Sequence, residues 1–521
     1  VPAGSKGFLV STSLPRHFEV LITASEAYPR LEQAFMEARQ NIIAGFRVFD
    51  PWTQLRSEGA KACGDTWFDL IVATLNRGVE IQIILTDFDP VVRMDMHLYA
   101  WRCMRGLVAA GEASQFPQNL KLRVAMHPAR VGLLPRMALW PRSIKEVSAK
   151  LAQIMQDNGL SGPELIALAP GIRPLVAKKK DGLRARIFPP PALVPVTHHQ
   201  KLAVFDDQHL YIGGLDLNDR RYDTPAHKTS SPDTWHDVQV FVDGPVAAEA
   251  RRHLEQMEDG FSGRATQRPQ HLLRTMSAKR RFALPYMSPV PTVSEIADAH
   301  HVAVDRSEQL IYLETQFFRD ETFARHLAKR ARAQPGLTLV MMLPAAPEDI
   351  AFSDSWGPDA AFGEHLQAKC LQIMQEAFSE RAFVGAPVQP RTHITTGRDT
   401  HFDAPIVYLH AKVSLFDDHT GIISSANLNG RSLSWDTEAG VQTQTTSEVA
   451  QIKRRCFDHW LGAGAHDALY QSRTACDAWA ARAAQNAQSV PEDRIGFVLP
   501  YLPEQGRKDA QPLPGVPPAM A

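Results

Sequence analysis

The stretch His199-Gln-Lys201-Leu-Ala-Val-Phe-Asp206 returns later in the chain as His410-Ala-Lys412-Val-Ser-Leu-Phe-Asp417, and this repeat decides the fold. A turn of small residues follows each copy, Gly213-Gly214-Leu-Asp216 after the first and Ser424-Ser425-Ala-Asn427 after the second. Both copies read as β-strands. Side chains two apart on a strand share a face, so His199 and Lys201 point together, as do His410 and Lys412, while Leu202 and Val204 turn to the core. One His-x-Lys is a surface accident; two, with the same offset to an aspartate and a turn, mean one reactive unit carried twice.

Outward from the repeat, each half shows the same alternation of strand and helix. Before the first copy come the apolar run Phe18–Ile22, a helical spacing at Tyr28, Leu31, Phe35 and Ala38, and a second run from Ile42 to Phe49. Phe68–Leu75 predicts a helix closed by Gly78, Val79–Leu85 a strand, Leu98–Ala110 a helix and Leu120–Ala125 a strand. Before the second copy the series is a helix at 296–304, a strand at 309–318, a helix at 321–333, a strand at 337–343 and a helix at 364–378. The expected fold class is α/β: duplicated α/β/α sandwich halves with mostly parallel sheets, packed around a pseudo-two-fold axis and sharing one active site. The first half is expected over 18–265 with an insertion at 127–190, the second over 266–488, and a Pro-rich tail over 489–521. Within the insertion, Ile144–Met155 predicts a helix and Lys178–Lys180 a solvated loop.

Composition bounds the partners. The chain has 521 residues, a formal net charge of -1 and a pI near 7.1, so it lacks the basic balance of a nucleic-acid binder, and no nucleic-acid partner is expected. It has no apolar run long enough for a transmembrane helix, and the expectation is a soluble protein, secreted, periplasmic or peripheral in the cytoplasm. The five cysteines are scattered, without Cys-x-x-Cys or zinc-finger spacing, so no metal and no cofactor are expected. Because one chain carries both units, a monomer is the expected state.

The residue types point to phosphodiester chemistry. Cleaving an anionic phosphodiester without a metal takes cationic donors for the non-bridging oxygens, a nucleophile, and an acid for the leaving oxygen. Lys201 and Lys412 offer the charge, and His199 and His410 the nucleophile and the acid. Each imidazole needs a carboxylate on its other nitrogen; Asp237, in Trp235-His236-Asp237, and Glu438, in Asp436-Thr-Glu438, are the candidates. Asp206 and Asp417 fall an odd number of residues from their histidines, which puts them on the opposite face as structural residues that fix the turn. Asn427 is expected to donate to a phosphoryl oxygen, and its counterpart Asp216 to orient a lysine. Gln316 is expected beside the site. Arg221 and Arg431 read as scaffold ion-pair residues.

Both copies match the His-x-Lys-x4-Asp pattern, and the chain thereby resembles the phospholipase D superfamily, in which two copies build one metal-independent site. Gly213-Gly214-Leu-Asp216, Arg221-Tyr-Asp-Thr-Pro225, Trp235-His236-Asp237, Gly244-Pro245 and Ile311-Tyr-Leu-Glu-Thr-Gln316-Phe-Phe318 are similar to phospholipase D proper of the plant and eukaryotic type. The resemblance implies that His199 forms a phosphohistidine, that His410 protonates the leaving alcohol and then activates water, and that Asp237 and Glu438 orient the two rings. It implies hydrolysis of glycerophospholipids, of phosphatidylcholine or phosphatidylethanolamine type, at a membrane or micelle surface, with transfer to alcohols. A phospholipid synthase of the cardiolipin or phosphatidylserine type, or a nucleic-acid phosphodiesterase, is the alternative. Ser424-Ser425 departs from the Gly-Ser usual in that pattern. The pattern begins by residue 18, so no N-terminal membrane-targeting module is expected, and lipid contact falls to loops such as Val131–Trp140 and Ala351–Trp356.

Overall fold

A computed structural model describes residues 17–520, save 180–181, 354–356, 394–396 and 463–464. Two large sheets organise it. The first runs, edge to edge, Phe18–Ile22, Val238–Asp243, His209–Gly213, Leu202–Phe205, Asn41–Phe46, Glu80–Thr86 and Leu120–Ala125. The second runs Val290–Ser294, Leu272–Ala278, Glu438–Thr443, Thr420–Ser424, Val413–Phe416, Leu310–Glu314, Thr338–Met342, Ala382–Pro387 and Val498–Pro500. Strand for strand, the seven of the first sheet recur in order within the second, which adds one strand at each edge. The duplication read from the repeat is therefore a duplication of the whole sheet.

Both sheets are mixed, which corrects the expectation of mostly parallel strands. Only Asn41–Phe46, Glu80–Thr86 and Leu120–Ala125, and likewise Leu310–Glu314, Thr338–Met342 and Ala382–Pro387, run parallel to one another. These are the strands joined by helices. Leu202–Phe205 and Val413–Phe416 turn back through short hairpins, and a hairpin can only make an antiparallel pair. Asp206 (φ 49°) and Asp417 (φ 50°) open those hairpins in the left-handed region, which aspartate tolerates through its short polar side chain.

Each sheet is covered on both faces. Helices Thr23–Glu37, Trp67–Asn76 and Met94–Ala113 bury Leu31, Phe35, Ile71 and Leu107 against the outer face of the first sheet. Helices Glu295–Arg306, Glu321–Ala333 and Pro358–Phe378 do the same for the second. The inner faces share one continuous core, in which Leu202, Val204 and Val240 of the first half join Val413, Leu415, Trp460 and Trp479 of the second. Trp67–Asn76 starts with a capping box between Thr66 and Asp69, and the chain leaves it through Gly78 at φ +86°.

The helix expected over 144–155 extends over Leu133–Asn158, so the segment expected as a loop at 131–140 is mostly helix, with Pro141 inside it. It packs Val147, Leu151 and Ile154 into a separate small core with Val91, Met94 and Leu165. Lys178 and Lys179 lie exposed on a two-stranded hairpin; Lys180 is outside the described residues, as are 354–356 of the second lipid-contacting loop. The Pro-rich end folds back onto the second half: Val498–Pro500 pairs with Ala382–Pro387, and the last turn sets Ala519 and Met520 beside Trp435.

Candidate active site

His199 and His410 do not lie on the ladders they introduce. The strands begin at Leu202 and Val413, and each histidine sits in the extended segment just before. That segment pairs with the opposite half. His199 donates its backbone N–H to Thr437 O (2.8 Å), and Thr437 donates back to Thr197 O (3.0 Å). Reciprocally, His236 donates to Tyr408 O (2.9 Å) and His410 to His236 O (2.8 Å). The segment bearing each histidine thus lies against the segment bearing the other half's carboxylate.

The carboxylates are exchanged accordingly. His199 Nδ1 lies 3.1 Å from Glu438 Oε2 and 3.1 Å from the Ser425 carbonyl. Both are acceptors, so the proton sits on Nδ1 and Nε2 keeps a free lone pair. His410 Nδ1 lies 2.7 Å from Asp237 Oδ2. The two rings lie with centroids 6.4 Å apart and planes tilted by 52°. His199 is the more open, with 15% of its side chain exposed against 5% for His410.

Two ammonium groups complete the cluster. Lys201 and Lys412 are buried, and each donates to the carbonyl of its own histidine, so both halves use one local geometry. Burial pushes Lys201 down to about 8 and Lys412 down to about 7. Burial likewise pushes Glu438 up to about 8 and raises Asp237. His199 and His410 are held well below the usual imidazole range, first by burial and then by the ammonium of the lysine in the same motif. Such a site gains most from a bound anion, which offsets the crowded cations.

Gln316 and Asn427 are brought together: Asn427 Nδ2 donates to Gln316 Oε1 (3.2 Å), and Gln316 Nε2 to Tyr408 Oη (2.7 Å). Asn427 Oδ1 is buried and has no hydrogen-bond partner among the described residues. Among the described residues Asp216 makes no hydrogen bond to a lysine, but its charge favours the Lys201 ammonium against burial. It accepts from Val48 N (2.9 Å), and its other oxygen lies 3.6 Å from Arg47 Nη1 and 3.7 Å from Arg221 Nε. Arg431 pairs with Asp436 at 3.1 Å.

Arg47 is the cation the sequence reading missed. Single bridges pair Phe49 with Leu217 and Phe318 with Leu428, so Arg47 in the first half takes the place of Gln316 in the second, as Asp216 takes that of Asn427. A charged pair and a neutral pair therefore flank the site at matching positions. The signal lay in laying one half over the other, which the His-x-Lys repeat allows once the strands are matched. Ser425, whose hydroxyl donates to Glu438 Oε2, was noticed only as a departure from pattern.

Asp206 and Asp417 stand apart from the chemistry, as their parity predicts. Asp206 accepts the backbone N–H groups of Arg39, Gln40 and Asn41, and Asp417 those of Glu308, Gln309 and Leu310. Each pins the start of the neighbouring strand to the hairpin.

The family model described as "Cardiolipin synthase, PLD-like domain" matches residues 302–460. The chain is similar to phospholipase D1 of Schizosaccharomyces pombe (23% identical, over 45% of this chain and 24% of that protein). It is also similar to phospholipase D alpha 4 of Arabidopsis thaliana (22%, over 48% and 47%) and to phospholipase D2 of Bos taurus (24%, over 56% and 37%). The chain spans between about a quarter and a half of the length of these relatives. Among solved structures it is similar to a phosphatidylserine synthase of Haemophilus influenzae, with a TM-score of 0.48 at 12% identity over 84% of this chain and 85% of that one.

Proposed function

The chain belongs to the phospholipase D superfamily, and we propose that it is a phospholipase D that cleaves glycerophospholipids to phosphatidic acid and free headgroup. In this reading His199 Nε2 attacks phosphorus while the bond to the headgroup oxygen breaks. His410 gives its proton to that oxygen, and Lys201 and Lys412 hold the non-bridging oxygens. Water then attacks the phosphohistidine, His410 takes the proton back, and the N–P bond breaks; an alcohol in place of water gives a phosphatidyl alcohol. The incoming phosphodiester offsets the two ammonium charges, which lifts His410 toward the protonated form that the leaving group needs.

The observation that carries the lipid reading is an apolar collar. Phe188 (72% exposed), Phe282 (66%), Ile187 (58%) and Leu134 (57%) stand in solvent, with Leu133, Met137, Leu284 and Tyr286 beside them. They form one surface, because Gly132 and Leu134 donate to Tyr286 O and Leu284 O, and Trp140 Nε1 donates to Ile187 O (2.6 Å). Exposed Lys279 and Arg281 flank it. Phe188 precedes His199 by eleven residues in the chain. A contiguous apolar surface with cations at its rim suits an anionic lipid interface. Among the described residues no helix is long and apolar enough to cross a membrane.

The test is release of choline and phosphatidic acid from phosphatidylcholine vesicles, with ethanol added to trap the phosphoenzyme. Choline, phosphatidic acid and phosphatidylethanol are expected from the wild type and none from His199→Ala. Cleavage of bis(p-nitrophenyl) phosphate without any lipid turnover would overturn the substrate and keep the chemistry.

A further inference from the structure

Away from the catalytic pair, three more histidines meet at the seam between the halves. His227 and His236 belong to the first half and His459 to the helix Thr446–Leu461 of the second, and one ring nitrogen from each lies within 4.8 Å of the others. His227 and His236 are fully buried, and His459 is the least buried of the three.

The outer partners of His227 and His236 make these two ligands in waiting. His227 Nδ1 donates to Asp223 Oδ2 (2.6 Å), which fixes its proton there and leaves the Nε2 lone pair facing His459 Nε2 at 3.0 Å. His236 Nε2 lies 3.3 Å from Glu314 Oε2, and its buried Nδ1 has no hydrogen-bond partner among the described residues. The two carboxylates are themselves held, Asp223 by the Trp235 N–H (2.8 Å) and Glu314 by the Tyr312 hydroxyl (2.6 Å). Imidazoles whose far nitrogen is tied to a fixed carboxylate are the form in which histidine holds a metal, since the tie sets the tautomer and makes the near nitrogen a better donor. Trp460, 4.2 Å from the His236 ring, and Phe497, 5.3 Å from that of His227, wall the group.

We propose that His227, His236 and His459 bind one divalent transition-metal ion of the zinc class, and that this ion clamps the two halves. Three neutral imidazoles are the donor set that Zn2+, Ni2+ or Co2+ takes and that Mg2+ and Ca2+ do not. The ion's role is structural. His236 is next to Asp237, and its backbone pairs with Tyr408 and His410, so fixing its ring fixes the strand pair on which His410 meets its carboxylate. The spacing rules for zinc sites in sequence do not find it, because the ligands come from a turn, a strand start and a distant helix.

The test uses the full chain without a polyhistidine tag, stripped with chelator, reloaded with Zn2+ and desalted. One ion per chain is expected by elemental analysis, with a thermal midpoint raised by Zn2+ and lowered again by chelator. Co2+ in its place is expected to give a visible absorption band. His459→Ala, chosen because this residue is the least buried of the three, loses the retained ion, the band and the midpoint shift. His199→Ala keeps all three, so failure of this site is distinguishable from failure of the lipid reading. If the wild type retains no ion, or retains it equally in His459→Ala and in His227→Gln, the proposal is overturned and the cluster is a hydrogen-bonded clasp.

Discussion

Lys201, Lys412, His199 and His410 share one buried volume, and their mutual charges set the pH at which the site is ready. In the free protein Lys412 and Lys201 lose their protons as pH rises through about 7 and 8, while the imidazoles, held low, are neutral well into the acid range. For bis(p-nitrophenyl) phosphate, whose leaving group needs little help from an acid, kcat/KM is therefore expected to fall on the alkaline side from that range, with its acid limb below the ordinary histidine value. A profile that keeps climbing above it contradicts this account. The different roles of the two histidines give a second prediction. With a p-nitrophenyl leaving group, which needs little acid help, His410→Ala retains a burst of one product per enzyme, whereas His199→Ala shows none and loses ~10^4-fold in turnover. Arg47→Gln, which copies the second half's residue into the first, is expected to raise KM for an anionic substrate about tenfold, in proportion to one lost charge-assisted contact, and to leave kcat nearly intact.

At the scale of elements, the two aspartates that close the repeats carry the fold. Asp417 is buried and accepts three backbone N–H groups, so Asp417→Ala strands all three and is expected to cost about 2–4 kcal/mol in urea unfolding. Asp206→Ala, at a more exposed hairpin, costs less. Most of this was legible. The helix spacing at Tyr28, Leu31 and Phe35 and the runs at 120–125 and 321–333 fell where the elements are, because amphipathic period is a local property. Strand direction was not legible, since it depends on which connection is a hairpin and which a helix. Nor were the partners of Asp216: the sequence gives its type and offset, but Arg47 reaches it only through the pairing of Phe49 with Leu217.

For the molecule as a whole, the repeat told that two halves meet but not how they share their parts. Which carboxylate serves which histidine follows from the seam, where Thr437 meets Thr197 and His236 meets Tyr408, and no spacing along the chain encodes that. The apolar collar is likewise a property of the assembled surface, gathered from residues 133–137, 187–188 and 282–286. Placing charges on it with Phe188→Asp and Leu134→Asp is expected to cut turnover of vesicle lipid about tenfold or more, as the lost burial of two large side chains requires, while a soluble phosphodiester is turned over within about twofold of wild type. Equal losses on both substrates would place the collar's role elsewhere.

The reciprocal exchange at the seam also imposes an order in time. His199 and Asp237 leave the ribosome long before Glu438 and His410, and each waits for a partner not yet made. A nascent chain that has finished its first sheet holds a histidine without its carboxylate and a carboxylate without its histidine. Its chemistry begins only when the last strands dock, so an unfinished or misassembled copy stays inert toward phosphodiesters.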